Sequence, residues 1–114
     1  MNNHELDKCL RIINDLVIYC HAHGGEKYEI SLENIENTHF INVSSRVQSF
    51  SPEKLARFKE KLKVFRQRET ENYFWEVGGG PAKSDDLALV GMMLDVAKVK
   101  YEDGILRIYA ERHI

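Results

Sequence analysis

The sequence predicts an α+β domain built as a two-layer α/β sandwich, with helices packed on one face of a four-stranded sheet. Three observations carry that reading. Three stretches repeat apolar residues at helical spacing, two short runs alternate apolar with polar residues, and an Asp-Gly pair near the end separates two further alternating runs. The resulting order is α-β-β-α-α-β-β. Each helix has one apolar stripe and each strand one apolar face, and two packed layers bury all of them together. At 114 residues the chain fits a single domain, 1–114, with a modest core.

From Glu5 to His23, the residues Leu6, Leu10, Ile13, Val17 and Cys20 recur at helical intervals, and Ile12, Leu16 and Tyr19 widen the apolar side. Gly24 and Gly25 then supply a left-handed cap. Tyr28, Ile30 and Leu32 alternate with Lys27, Glu29, Ser31 and Glu33, which is a strand with one wet face. Asn34 to Asn37 reads as a turn, and His39, Ile41 and Val43 form a second, antiparallel strand. The pair makes a hairpin over Lys27–Val43. Ser44 to Ser51 is polar and reads as a loop.

Ser51-Pro52-Glu53 carries a capping serine, a first-turn proline and an acid at the positive end of a helix. Leu55, Phe58, Leu62 and Phe65 extend that helix, and its other face is basic with Lys54, Arg57, Lys59, Lys61, Lys63, Arg66 and Arg68 against Glu53 and Glu60. Glu69 to Lys83 reads as a long connection containing an aromatic knot, Tyr73, Phe74 and Trp75, and then Gly78, Gly79 and Gly80. Ser84 caps the next helix, expected over Ser84–Lys98 with Leu87, Val90, Leu94 and Ala97 inward. Asp103-Gly104 suits a type I′ turn, so Val99–Ala110 is a hairpin. Counting outward from the turn, Tyr101 faces Leu106 and Val99 faces Ile108, with Lys100 and Arg107 on the opposite face.

Composition narrows the function classes. Sixteen Lys and Arg against eighteen Asp and Glu give a net charge of −2, which argues against a nucleic-acid or membrane partner. No run approaches the roughly 18 apolar residues of a membrane span, and Met1-Asn2-Asn3-His4-Glu5 does not read as a signal peptide. Cys9 and Cys20 share one helix and lie ~16 Å apart along it, too far for a disulfide. They read as reduced core thiols, and the expected compartment is the cytoplasm.

Chemical motifs are sparse. His21 and His23, two residues apart, point to different sides of the helix and suit its C-terminal dipole better than a zinc ion. Neither cysteine has a basic neighbour one turn on, which leaves nucleophilic catalysis without an activating group. A glycine-rich loop feeding a helix can cradle phosphate on its free N–H groups. Here Asp85 and Asp86 occupy the end where that phosphate would sit.

The element order and three of its stretches resemble the ATP-binding fold of the GHKL superfamily, which includes sensor histidine kinases, anti-sigma-factor kinases and gyrase B. Asn14-Asp15-Leu16-Val17-Ile18-Tyr19 is similar to the family's first helix. Asp15 falls at the position of its acid, and Tyr19 replaces the asparagine that holds magnesium. Val43-Ser44-Ser45-Arg46-Val47-Gln48-Ser49 has the layout of the family's Val-x-Asp-x-Gly-x-Gly motif. Ser45 stands for the adenine-binding aspartate, and Val47 and Ser49 stand for the two glycines. Gly78-Gly79-Gly80 before Leu87-Ala88-Leu89-Val90 resembles the lid and the helix after it.

The resemblance therefore implies a remnant pocket of Asp15, Tyr19, Ser45, Val47, Ser49, Gly78, Gly79 and Gly80, with Asp15 as a relic general base. A hydroxyl lacks the charge-assisted grip of a carboxylate, a branched side chain blocks the approach that glycine allows, and tyrosine is a poor magnesium ligand. The expectation is a non-catalytic regulatory or protein-binding module in bacterial signalling that uses no cofactor. Its partner would meet Arg57 and Lys61 or the aromatic knot Tyr73, Phe74 and Trp75, and a homodimer stays open. The alternative is a divergent nucleotide-dependent kinase that uses ATP with magnesium at the 78–84 loop.

Overall fold

The computed structural model describes residues 4–63, 66 and 87–114. The elements are α1 (His4–Ala22), β1 (Gly25–Ile35), β2 (Thr38–Val47), α2 (Pro52–Lys61), α3 (Leu87–Met92), β3 (Val96–Glu102) and β4 (Ile105–His113). The architecture is α+β. Four antiparallel strands in the order β1-β2-β4-β3 form one sheet, and the helices pack on it.

The alternation of the strands decides which face is covered. Ile41, Val43, Ser45 and Val47 of β2 are buried, as are Leu106, Ile108 and Ala110 of β4, while Asn42, Arg46 and Arg107 between them are exposed. Both hairpin turns have paired residues at positive φ, Glu36 and Asn37 at 47° and 63°, Asp103 and Gly104 at 53° and 76°. That is the twist that joins two strands in two residues. The C-terminal register is the one counted from the sequence, with Tyr101 opposite Leu106, Lys100 opposite Arg107 and Val99 opposite Ile108.

Beyond strands that reach back to Gly25 and on to Ile35 and His113, four boundaries or faces differ from the sequence expectation. The first is the buried side of α1. Cys9, Ile12, Leu16, Tyr19 and Cys20 are buried, whereas Leu6 is 54% and Leu10 49% exposed. The helix is apolar on two adjacent flanks, and the buried flank also contains Asp15, whose charge is met by Arg11 at 3.2 Å. An apolar count along the helix discounts a face that carries an aspartate.

The second is β2, which runs on through Ser44 to Val47, where the composition suggests a loop. Ser44, Ser45 and Arg46 pair with Arg107, Leu106 and Ile105, and Val47 N–H donates to the Gly104 carbonyl at 2.9 Å. Neighbouring strands hold a serine-rich segment extended despite its weak β-propensity. The third is α2. Its start is as expected, with the Ser51 hydroxyl accepting the Lys54 N–H at 3.1 Å, but it ends at Lys61, one residue before Leu62.

The fourth is the junction of α3 and β3. The described helix stops at Met92, and Val96 already lies in the sheet, so Ala97 is a strand residue and β3 starts three residues before Val99. Asp95 enforces the break. Its N–H donates to the Glu111 carbonyl at 2.8 Å, and its carboxylate accepts from Arg66 and from the His113 N–H, each at 2.6 Å. These bonds hold the chain at the sheet edge, where a helix cannot continue. Gly91 lets α3 lie against the chain after α2, because a Cβ there would come 2.7 Å from the Lys63 carbonyl oxygen. Phe65, the connection 69–83, the Ser84 cap and Asp85 and Asp86 lie outside the described residues.

Candidate functional site

The helix α1, the end of β2 and the start of α2 converge, and the residues that meet there are mostly aromatic. Tyr19 is carried inward on α1 and stacks on Phe58 of α2, with ring centroids 3.9 Å apart and planes 15° from parallel. Phe50 meets Tyr19 edge-on at 6.4 Å, His23 at 5.7 Å and Tyr101 at 5.7 Å. His23 closes the group 4.3 Å from Tyr19. Offset and edge-on aromatic contacts each add about 0.5–1.5 kcal/mol beyond the area they bury. The cluster is thus a cohesive plug between the helices and the sheet.

Tyr19 and Val47 belong to this plug. Val47 is fully buried, and its carbonyl accepts the Tyr101 hydroxyl at 2.7 Å while its N–H is held by Gly104. Both of its backbone groups are therefore engaged. Asp15 lies one turn before Tyr19 and is fully buried. Its carboxylate accepts from Arg11 Nε at 3.2 Å and from the Asn14 amide at 3.3 Å. A carboxylate held this way is a structural anion beside a guanidinium.

Ser45 is buried and its hydroxyl has no hydrogen-bond partner among the described residues. The tight passage at Gly25 explains the enclosure, since a Cβ there would come 2.5 Å from Ser45 Oγ and 2.8 Å from the Cys20 carbonyl oxygen. Ser49 is exposed in the segment before α2. Of the predicted pocket residues, Tyr19 and Val47 join the aromatic cluster, Ser45 lies beside Gly25 and the Cys20 carbonyl, Asp15 is buried one turn before Tyr19 against Arg11, and Ser49 is at the surface. Gly78, Gly79 and Gly80 lie outside the described residues, as do Tyr73, Phe74 and Trp75.

The space left beside the plug is small. A groove of about 50 Å³ is lined by Tyr19, His23 and Phe58, with Lys54, Arg57 and Lys61 around it. Small-molecule sites usually span about 300–1,000 Å³. The three cations are spaced three and four residues apart, so they form one stripe along α2. Arg57 and Lys61 were visible in the sequence as basic surface residues. What the sequence did not reveal is that their stripe borders the aromatic plug.

A second concavity was not singled out from the sequence. On the open face of the sheet, Asn42, Ser44, Lys98, Lys100, Arg107 and Tyr109 line a shallow groove of about 430 Å³. The strand alternation that places Lys100 and Arg107 together was its signal. The Tyr109 hydroxyl donates to Glu111 beside it, and this bond, followed by that from His113, lowers the Glu111 carboxyl below its ordinary range. Burial pushes the Cys20 thiol up to about 11, so it carries almost no thiolate near neutrality.

Among the described residues no three His, Cys, Asp or Glu side chains converge on a metal-sized site, and no helix is long and apolar enough to cross a membrane. No protein-family model matches the chain, and no curated protein matches it.

Proposed function

We propose that this chain is a non-catalytic protein-binding module on a degenerate GHKL ATPase-like scaffold, serving bacterial signalling. One observation carries the reading. Where the resemblance puts a nucleotide, between the first helix and the end of the second strand, Tyr19 stacks on Phe58 and Phe50 closes over them. Asp15, the position of the family's acid, is occupied by Arg11. A ligand entering there would have to displace a packed aromatic core, and dense cores resist displacement.

The surface that remains is the basic stripe of Lys54, Arg57 and Lys61 beside the half-buried His23 at the rim of the plug. It suits an acidic segment of a partner protein, because complementary charge steers encounter and fixes orientation. The test is a thermal-shift titration with Mg-ATP. The expected result is no shift, whereas a ligand at 100 times its Kd would add about 2.7 kcal/mol of stability. A saturable shift overturns the proposal in favour of a divergent nucleotide-dependent kinase acting through the 78–84 loop. In a parallel affinity capture, Arg57→Glu with Lys61→Glu is expected to abolish retention of an acidic partner.

A further inference from the structure

The edge strand β1 and the outer flank of α1 form one surface. Among the described residues β1 pairs only with β2, so the other edge of its eleven residues has no strand beside it. Exposed edges of this length are normally blunted by lysine, proline or a covering element. β3, at the opposite edge, carries Lys98 and Lys100. β1 contains no proline and a single lysine, Lys27, at the register irregularity between Gly25 and Tyr28, and Ile30 at its middle is 49% exposed on the face that elsewhere forms the core.

The flank of α1 above this edge is apolar as well. At about 100° per residue, Leu6, Leu10, Ile13 and Val17 lie on the side of the helix opposite Asp15 and Tyr19. Tyr19 faces α2 through Phe58, so the Leu6–Val17 flank is turned away from the other helices, toward β1. Leu6 and Leu10 are half exposed there. An apolar stripe beside an unpaired apolar edge is the pattern of a surface built to be covered.

We propose that a second copy of this chain covers it, joining β1 to β1 about a two-fold axis that passes through Ile30. The sheet then runs continuously through both copies, and the two α1 flanks meet above the seam. Charge complementarity selects this occupant and register. With Ile30 opposite Ile30, Tyr28 faces Leu32 on the helix side, while Lys27 faces Glu33 and Glu29 faces Ser31 on the open side. The opposite-charge pair Lys27–Glu33 forms twice, once on each side of the axis. Sliding by one pleat in either direction puts Glu29 opposite Glu29, or Glu29 opposite Glu33. Neither Lys27 nor Glu33 has an ion-pair partner within its own chain among the described residues. A two-fold interface must be self-complementary, and this strand is.

Sedimentation equilibrium tests it. The expected species is twice the 13.3 kDa chain mass. Ile30→Lys brings two lysines together on the axis and should weaken association at least ~100-fold, and Lys27→Glu alone about 10-fold. The register has a sharper test. Lys27→Glu and Glu33→Lys each weaken self-association, yet an equal mixture of the two variants should form heterodimers, because every crossed pair then has opposite signs. Leu10→Lys examines the helix flank separately, and circular dichroism melts confirm that each variant is folded. A wild-type monomer at ~200 µM overturns the proposal and leaves the edge to a strand from another source. So does a dimer that is indifferent to Ile30→Lys and to the charge exchange.

Discussion

Replacing Glu5 by alanine removes the counter-ion of Arg112, one of the two fully buried charges described. Arg112 is 0% exposed, inside the end of the sheet, and Glu5 is 22% exposed in the first turn of α1. The guanidinium grips the carboxylate at two points, Nε to Oε2 at 3.0 Å and Nη2 to Oε1 at 2.9 Å, and its Nη1 donates to the Met93 carbonyl at 2.9 Å. One residue thus ties α1, β4 and the end of α3 together. Truncating one partner of a buried pair costs about 3–5 kcal/mol, because the charge left behind stays out of water. Water can reach the Glu5 side, which favours the lower end, about 3 kcal/mol. For a domain of this size that is a fall in Tm of roughly 12 °C, read by circular dichroism and urea denaturation. Glu5→Gln keeps the shape and one acceptor, and should lose about half as much. Replacing both residues by leucine should recover most of the loss, since apolar pairs of similar volume often match a buried ion pair. A loss below about 1 kcal/mol in Glu5→Ala would refute the reasoning.

Three further outcomes follow from single sites. Gly91→Ala should destabilise by about 1–3 kcal/mol, because its Cβ meets the Lys63 carbonyl at 2.7 Å and backbone yields poorly; equilibrium denaturation reads it. Cys20, pushed from 9.0 to about 11, should react with a disulfide reagent at pH 8 at least ~100-fold more slowly in the folded than in the unfolded protein. Because the folded state keeps that proton, stability should fall as pH rises between the two values. Glu111 is held below its ordinary value by Tyr109 and then His113, so its contribution is present above the unfolded carboxyl pKa and lost as pH falls through the folded one. Carbon-13 titration should show that midpoint rising toward the ordinary value in Tyr109→Phe.

How much could be read beforehand depended on whether the signal was local. The Asp103-Gly104 hairpin and the Ser51-Pro52 helix start are written in adjacent residues, and both appear in register. The face of α1 is not local. Its two apolar flanks are equivalent in isolation, and only the Arg11–Asp15 pair makes the acidic one buriable. The extension of β2 through Ser44–Val47 depends on strands on both sides. The break at Asp95 depends on Arg66 and on His113, far away in the chain. At the site, the replacements at Tyr19, Ser45 and Val47 were visible one by one. Their consequence, an aromatic plug recruiting Phe50, Phe58 and Tyr101, needed the tertiary contacts.

On the proposed reading, the residue that displaced the metal ligand now holds the core together. Tyr19 contributes a full stack on Phe58 and an edge to Phe50, and it is almost wholly buried. Exchanging it for a small polar residue would remove contacts of the kind that cost about 3–5 kcal/mol when a large aromatic is truncated in a core. The vacancy would be lined by Phe50, Phe58 and Val47, which offer neither a carboxylate for adenine nor an oxygen for magnesium. Stability and nucleotide chemistry therefore pull opposite ways at this position. A chain that had kept binding nucleotide would need this space open, whereas this one needs it filled. The two proposed contact surfaces, the α2 stripe and the β1 edge, lie on opposite sides of α1, so one contact need not exclude the other.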